Sequence, residues 1–250
     1  MVAAICAERG IAHRTLTLTL EKGSAVQERA RAARYRALAE WAQAEQLAAI
    51  VTAHHADDQA ETMVMRLNRG VGLRGLAAMR PAAQVPGAPG LRLLRPLLSW
   101  RRADLQAVVD VSGLAAADDP SNRDPGYERV RMRDALTSND AFAIMGFARS
   151  ARNLADADAA LEWVVDQLWK EVVALTDGFT WNPPTDLPDA IALRMLERVL
   201  ARLSGAAPRG AELVRWLETL RRGGVATLGG VKGDARTHAW RFTLAPPHSL

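Results

Sequence analysis

The stretch Leu47–Thr62, LAAIVTAHHADDQAET, joins an almost unbroken apolar run to a dense group of polar residues. The apolar part, Leu47–Ala53, is typical of a strand buried in a parallel sheet. Residues 57–69 then have helical spacing, with Met63 and Leu67 on one face. Ligands of open α/β sheets bind outside the carboxyl ends of the strands, so this strand-to-helix junction is the predicted functional site.

The segments around the junction alternate between strand-like and helix-like patterns, which indicates an α/β domain with a parallel sheet. Further strands are predicted at 13–20 and 91–98, helices at 25–45 and 101–112, and a flexible Pro-, Gly- and Ala-rich surface loop at 80–90. We therefore expect one α/β domain over residues 1–138.

Residues 139–250 predict a smaller, mostly helical domain with a candidate contact to RNA. Its predicted elements are helices at 140–175, 189–203 and 208–221, and a small terminal hairpin built from Val225–Leu228 and Ala239–Leu244.

Charge and cysteine content narrow the function classes. The 250 residues carry 32 Lys and Arg against 28 Asp and Glu, a net charge of +4, and only three of the basic residues are Lys. Genomic base composition explains so much Arg, but Arg also binds phosphate in a bidentate manner. The single cysteine, Cys6, excludes an internal disulfide framework, a four-cysteine zinc site and a CxxC motif.

No signal peptide or membrane span is expected. Residues 1–9 include Glu8 and Arg9 and no cleavage-like motif, and no apolar run reaches about 18 residues. We expect a cytoplasmic protein.

Two imidazoles, three carboxylates and an amide lie within the polar part of the junction. Helix capping accounts for one Asp as the N-cap, with Glu61 returning a capping-box bond. Capping does not account for His54 and His55 followed directly by Asp57 and Asp58. The order differs from the HExxH zinc pattern, and carboxylates suit Mg²⁺ with a phosphate completing its shell.

Arginines outside the junction allow more than one interpretation. Gly70, Gly72 and Gly75 form a GxGxxG that follows a helix, which is the wrong context for a dinucleotide site. The arginines near these glycines either hold phosphate or suit the helix dipole, and those of the 25–45 helix fit a solvated face. If extended, Arg129, Arg131 and Arg133 would point to one side, which favours a bound phosphate backbone.

Four ordered motifs resemble the tRNA(Ile)-lysidine synthetase family. They cover roughly residues 1–136 and comprise Gln27…Ala30-Arg31…Arg34-Tyr35, the stretch Thr52–Pro81, Arg95-Pro96-Leu97-Leu98 followed by Arg101, and Asp118-Asp119-Pro120-Ser121-Asn122…Asp124…Tyr127-x-Arg129-x-Arg131-x-Arg133. The resemblance implies an ATP-pyrophosphatase (adenine nucleotide alpha hydrolase-like) α/β domain.

The resemblance also implies a reaction: ATP adenylates C2–O of the wobble cytidine in a CAU-anticodon tRNA(Ile), and the ε-amine of free L-lysine displaces AMP. The implied catalytic residues are His55, Asp58 and Glu61. Asp57 and Asp58 are implied for ATP and Mg²⁺, with Asp58 as the metal ligand. The residues implied for tRNA binding are Arg31, Arg34, Arg66, Arg69, Arg129, Arg131 and Arg133. A homodimer is left open.

The sequence contains no SGGxDS phosphate loop, with which the family begins. Because the backbone amides of such a loop hold the ATP phosphates, we expect an N-terminally truncated fragment or a variant without adenylation. As written, the chain is then expected to bind tRNA weakly and to form no lysidine. The alternatives are a non-catalytic tRNA-binding module and a tRNA 2-thiocytidine synthetase, whose paired cysteines are missing here.

Overall fold

The structure is a computed structural model that describes residues 1–20, 26–114 and 123–246. The helices are α1 (Val2–Glu8), α2 (Val26–Ala44), α3 (Ala56–Asn68), α4 (Leu73–Leu76), α5 (Arg102–Ser112), α6 (Glu128–Thr137), α7 (Ile144–Trp169), α8 (Asp189–Leu203) and α9 (Gly210–Arg221). The strands are β1 (Ala49–Val51), β2 (Ala82–Val85), β3 (Ala88–Leu94), β4 (Val173–Leu175), β5 (Gly178–Trp181), β6 (Val225–Leu228), β7 (Val231–Asp234) and β8 (Trp240–Leu244). The Asp118–Asn122 part of the last motif lies outside the described residues.

The chain packs as two compact units, residues 1–156 and 157–250, and the division falls inside α7. The boundary between a catalytic domain (residues 1–138) and a second domain (residues 139–250) remains a prediction from the sequence. No helix within the described ranges is both long and apolar enough to cross a bilayer.

The first unit is built on a three-stranded sheet with the order β1-β3-β2. β1 pairs with β3 in parallel, with Ile50 opposite Leu93. β2 is antiparallel to β3, so the sheet is mixed and not wholly parallel. Tyr35, Ala39 and Ala42 of α2 pack in the same buried cluster as these strands. This α/β arrangement confirms the coarse fold prediction.

The predicted flexible loop at 80–90 is wrong, because those residues form the hairpin of β2 and β3. Pro86 and Gly87 make its turn, and Gly87 has φ 77°, which a glycine adopts without strain. On either side of the turn Val85 and Ala88 are buried. Composition alone indicated a loop, whereas these short side chains pack into the core.

The predicted strand at 13–20 is also absent among the described residues. The segment is largely exposed, and Leu16 and Leu18 line a surface cavity together with Leu38 and Trp41 of α2. Alternation specifies a strand only when a sheet edge is available to pair with it, and the segment pairs with none of the described strands.

The second unit contains more strand than the predicted hairpin. Its sheet is antiparallel and five-stranded, with the order β4-β5-β8-β7-β6, and α8 and α9 cover it. Gly178 is required in β5, since a Cβ there would lie 1.9 Å from the carbonyl oxygen of Phe242. The two helices begin and end close to their predicted positions because their apolar spacing is regular.

Candidate active site at the start of α3

Backbone hydrogen bonds fix the segment between β1 and α3. The amide of Thr52 donates to the carbonyl of Leu94 at 2.9 Å, and the amide of Ala56 donates to the carbonyl of Trp100 at 2.8 Å. The segment therefore lies at the carboxyl ends of the two parallel strands, where the sequence placed the functional site. Oγ1 of Thr52 and Nδ1 of His54 lie 2.9 Å apart.

His55, and neither aspartate, is the N-cap of α3. Its amide donates to Oδ2 of Asp58 at 3.0 Å, so Asp58 supplies the return bond that the sequence assigned to Glu61. The His55 ring lies between two carboxylates: Nδ1 is 3.6 Å from Asp57 and Nε2 is 3.5 Å from Asp58. Among the described residues, Nδ1 is buried and has no hydrogen-bond partner.

Asp57 is held by the start of α5. The Arg101 guanidinium donates to it at 3.1–3.3 Å, and the Arg102 amide donates at 2.7 Å. Burial would raise the pKa of Asp57, but the hydrogen bonds from Arg101 and Arg102 outweigh it and hold the pKa below its usual value. Asp57 is therefore ionised, its charge is balanced by Arg101, and its hydrogen bonds join α3 to the start of α5.

Glu61 is almost completely buried, with 1 % of its surface exposed, and two arginines of α6 bind it. Nε of Arg133 donates to Oε1 at 2.7 Å, and Nε of Arg129 donates to Oε2 at 2.8 Å. The hydrogen bond from Arg133 raises the pKa of that guanidinium further, although burial opposes this. The carboxylate thus has two cationic partners and little room for a third.

The extended arrangement predicted for Arg129, Arg131 and Arg133 is wrong, because they lie on helix α6. Residues four apart share one helix face, which is why Arg129 and Arg133 both reach Glu61. Arg131 points elsewhere and donates to the carbonyls of Pro125 and Gly126.

Asp58 is the least compensated of the three carboxylates. Besides the His55 amide and ring, its neighbour within the described residues is Arg129, whose Nη2 lies 3.7 Å from Oδ1. That guanidinium already donates to Glu61 and, at 3.3 Å, to Oγ1 of Thr62. Asp58 therefore keeps a carboxylate available for a further cation.

The surroundings of His54 lower its pKa below the usual value. Burial lowers this pKa most, Asp58 raises it, and the charges of Arg95, Arg129 and Arg31 lower it again.

The other predicted tRNA-binding arginines are dispersed along α2 and the end of α3. Arg31 lies over the Tyr35 ring at 5.1 Å, and Arg34 is exposed on the same helix. Arg66 donates to the carbonyls of Gly75 and Ala78, and burial is the main cause of its lowered pKa. Arg69 pairs with Glu128. The first two arginines are exposed to solvent, whereas Arg66 mainly supports the following turn.

Comparison with known proteins decides the family. The PP-loop domain family matches residues 1–139. The tRNA(Ile)-lysidine synthase of Novosphingobium aromaticivorans is 64% identical over 248 residues, covering 99% of this chain and 76% of the relative. That of Zymomonas mobilis is 38% identical over 249 residues, covering 98% and 75%. That of Bradyrhizobium sp. BTAi1 is 37% identical over 280 residues, covering 99% and 76%.

The chain belongs to the tRNA(Ile)-lysidine synthase family. This confirms the resemblance inferred from the four motifs and, with the PP-loop match, the use of ATP. The described parts of three of those motifs meet at one place in the first unit. Thr52–Thr62 supplies the carboxylates, Arg101 binds Asp57, and Arg129 and Arg133 bind Glu61.

The sequence patterns include Gln59 and Arg95 but assign neither of them a supporting role at this site. Gln59 is buried and exchanges hydrogen bonds with the backbone of Met79 at 2.8 and 2.9 Å, which ties α3 to the turn before β2. Arg95, at the end of β3, is 7 % exposed and donates to the carbonyl of Arg80. A buried amide and a buried guanidinium carry no signal in a sequence until their neighbours are known.

A preformed metal cage is absent from the part of the chain that the structure describes. No three His, Cys, Asp or Glu side chains there are placed to hold an ion. Asp57 and Glu61 are taken by arginines, so Asp58 is the carboxylate that fits a Mg²⁺ ligand. Mg²⁺ commonly uses one or two carboxylates with substrate phosphates, and a single protein ligand is compatible with that pattern.

Proposed function

We propose that this chain, together with an SGGxDS phosphate loop, catalyses ATP-dependent joining of L-lysine to C2 of the wobble cytidine of a CAU-anticodon tRNA(Ile), through an adenylated tRNA. One observation carries the assignment of the site: arginines lie within 3.1 Å of Asp57 and Glu61, whereas Asp58 has only a 3.7 Å contact with Arg129, whose guanidinium already binds Glu61. Lysine enters as a cation, and Asp58 is the group that can receive it.

In this proposal Asp58 binds the ε-ammonium group of lysine. Nε2 of His55 lies 3.5 Å from the same carboxylate, so an amine bound to Asp58 is within reach of the imidazole. His55 takes a proton from that ammonium group, which frees the nitrogen lone pair, and the resulting neutral amine attacks C2. The new C–N bond forms as the C2–O bond to AMP breaks, so AMP leaves with that oxygen.

Glu61 acts as a positioning residue in this scheme. Its oxygens meet Arg129 and Arg133, and its burial keeps it from substrate. The predicted catalytic role of Glu61 is thereby narrowed to fixing Arg129 beside Asp58 and Thr62.

Adenylation makes the C2 oxygen a good leaving group, and Mg²⁺ would neutralise the phosphates during that half-reaction. Asp58 is the residue that would hold the ion, before the same carboxylate binds lysine in the second half-reaction. Asp57 supports both steps by linking α3 to Arg101 and Arg102.

The exposed arginines of α2 are the proposed contacts to the tRNA backbone. Arg31 and Arg34 present guanidinium groups to solvent, and phosphate contacts orient a nucleic acid without reading its sequence. Arg131 and Arg66 are bound to backbone carbonyls and contribute less in this proposal.

Transfer of labelled lysine to a CAU-anticodon tRNA(Ile) transcript tests the proposal. Both the chain and the chain preceded by a segment carrying the family's SGGxDS loop are assayed with ATP and Mg²⁺. Lysidine is expected from the extended chain and not when the anticodon is changed to GAU. Binding of the transcript without lysidine from either chain would favour the non-catalytic module.

The role of Asp58 is tested in the chain that forms lysidine. Asp58→Asn should reduce lysine transfer by about 100-fold or more, because truncating one partner of a buried charge pair costs about 2–5 kcal/mol. Asp110→Asn on the exposed face of α5 is the matched control and should leave transfer unchanged. Equal rates for Asp58→Asn and the control would contradict the assignment.

A further inference from the structure

Arg95 is a buried cation that has no counter-anion among the residues that the structure describes. It follows β3 directly and is 7 % exposed. Nη1 donates to the carbonyl of Arg80 at 2.8 Å, while Nε is buried and has no hydrogen-bond partner within the described residues. Among those residues no Asp or Glu forms an ion pair with it.

This arrangement is costly for a guanidinium group. Arg keeps its charge at any ordinary pH and presents five N–H donors. A buried charge is normally paired, since removal from water without a partner is strongly unfavourable. One carbonyl acceptor leaves most of these donors unused, so Arg95 is poorly explained as a purely structural residue.

The location of Arg95 indicates which kind of group would accept hydrogen bonds from its unused N–H donors. The residue before it, Leu94, accepts the hydrogen bond from Thr52, so Arg95 lies at the carboxyl ends of the parallel strands, where α/β sheets bind ligands. Burial is the main cause of the lowered pKa of His54, and the charge of Arg95 lowers this pKa as well.

We infer that Arg95 forms a subsite for an oxyanion of the substrates. The group bound is a phosphoryl group of the nucleotide or the α-carboxylate of lysine, both of which accept bidentate hydrogen bonds from a guanidinium. The identity of these ligands rests on the proposed function, whereas the existence of the subsite rests on Arg95 itself.

Paired probes separate the two sources. AMP is compared with adenosine, and lysine with 1,5-diaminopentane, which lacks the carboxylate; inorganic pyrophosphate is tested alone. Dissociation constants are measured by calorimetry, and melting temperatures are measured with and without each probe. Arg95→Met is the test variant. Arg92→Met, an exposed position on the same strand, is the matched control.

Arg95→Met should weaken one oxyanion probe by about tenfold or more, the value of a charge-assisted hydrogen bond, while Arg92→Met should change it less than about twofold. A change for AMP but not adenosine assigns the phosphoryl group, and a change for lysine but not 1,5-diaminopentane assigns the carboxylate. Without ligand, Arg95→Met should melt within about 4 °C of the wild type, since only one ordinary hydrogen bond is lost.

Two results would overturn the inference: oxyanion binding that Arg95→Met leaves unchanged, or an Arg95→Met chain that fails to fold. Failure of the extended chain to form lysidine would overturn the proposed function but would leave the anion measurements standing. Arg95→Lys gives a second check, because a retained charge without the planar fork should recover only part of the binding.

Discussion

Replacement of Glu61 by Gln is the sharpest test of the buried network. The substitution keeps the size of the side chain and removes the negative charge that holds Arg129 at 2.8 Å and Arg133 at 2.7 Å. A neutral amide can accept from one guanidinium, but its NH₂ group then faces the other. Two cations are left close together without an anion between them.

The expected loss of stability follows from the burial of Glu61. Removal of one partner from a buried ion pair typically costs about 3–5 kcal/mol. The side chains of Arg129 and Arg133 are 38% and 23% exposed, so water can partly solvate them once Glu61 is gone. We therefore expect a loss of about 2–4 kcal/mol in the free energy of unfolding of the first unit.

The assay is urea unfolding followed by circular dichroism, fitted with two transitions because the chain has two compact units. Glu128→Gln breaks the exposed pair with Arg69 and is the matched control, with an expected loss below about 1 kcal/mol. In the double variant Glu61→Gln with Arg133→Met, the losses should fall short of additivity by about 1–3 kcal/mol. Equal stability of the Glu61→Gln and Glu128→Gln variants would refute the reasoning.

Three further outcomes are expected. The pKa of His54 is lowered below its usual 6.5, so the unfolded chain binds the proton more readily and stability should decrease as pH falls from 7 through that range. His54→Gln should reduce the dependence of the urea midpoint on pH. An unchanged dependence on pH would contradict this role of His54. Arg34→Gln should weaken tRNA binding and lower the magnitude of the slope of log K against log salt concentration by about 0.7–0.9. Arg131→Gln should leave this slope unchanged. A smaller effect for Arg34→Gln than for Arg131→Gln would contradict the proposed contact between α2 and the tRNA backbone. Arg194→Met should destabilise the second unit by about 3 kcal/mol, because its guanidinium and the carboxylate of Asp158 are both about 10% exposed and pair at 2.6 Å. A second transition at the wild-type urea concentration would contradict this.

Regular apolar spacing explains why most helices could be predicted. α8 was expected at 189–203 and spans Asp189–Leu203, and α5 ends where Gly113 adopts φ 67°. Both depend on local pattern and capping, which a sequence carries directly. The junction between β1 and α3 was placed correctly for the same reason.

Strand pairing could not be predicted in the same way. The strands after α7 are three to five residues long, too short for alternation to specify, and their partners are distant in sequence. The hairpin at 80–90 was hidden by Pro86 and Gly87, which serve its turn. In both places, strand formation depends on pairing with distant residues, which the local sequence does not specify.

The sequence predicted which residues form the site but not which arginine pairs with which carboxylate. The cluster His55, Asp57, Asp58 and Glu61 does gather at the start of α3. Which carboxylate stays available depends on Arg101, Arg129 and Arg133, whose carboxylate partners lie 44 to 72 residues away in the sequence. Helical spacing of the α6 arginines, had it been recognised, would have indicated that Arg129 and Arg133 share a face.

The lysidine content of CAU-anticodon tRNA(Ile) in cells that encode this protein tests the central claim most directly. The protein is depleted, and the wobble nucleoside of the purified tRNA is identified by mass spectrometry. Lysidine is predicted to give way to cytidine on depletion, and to return with the wild-type gene but not with the Asp58→Asn allele. Lysidine that persists through depletion, or that the Asp58→Asn allele fully restores, would contradict the account.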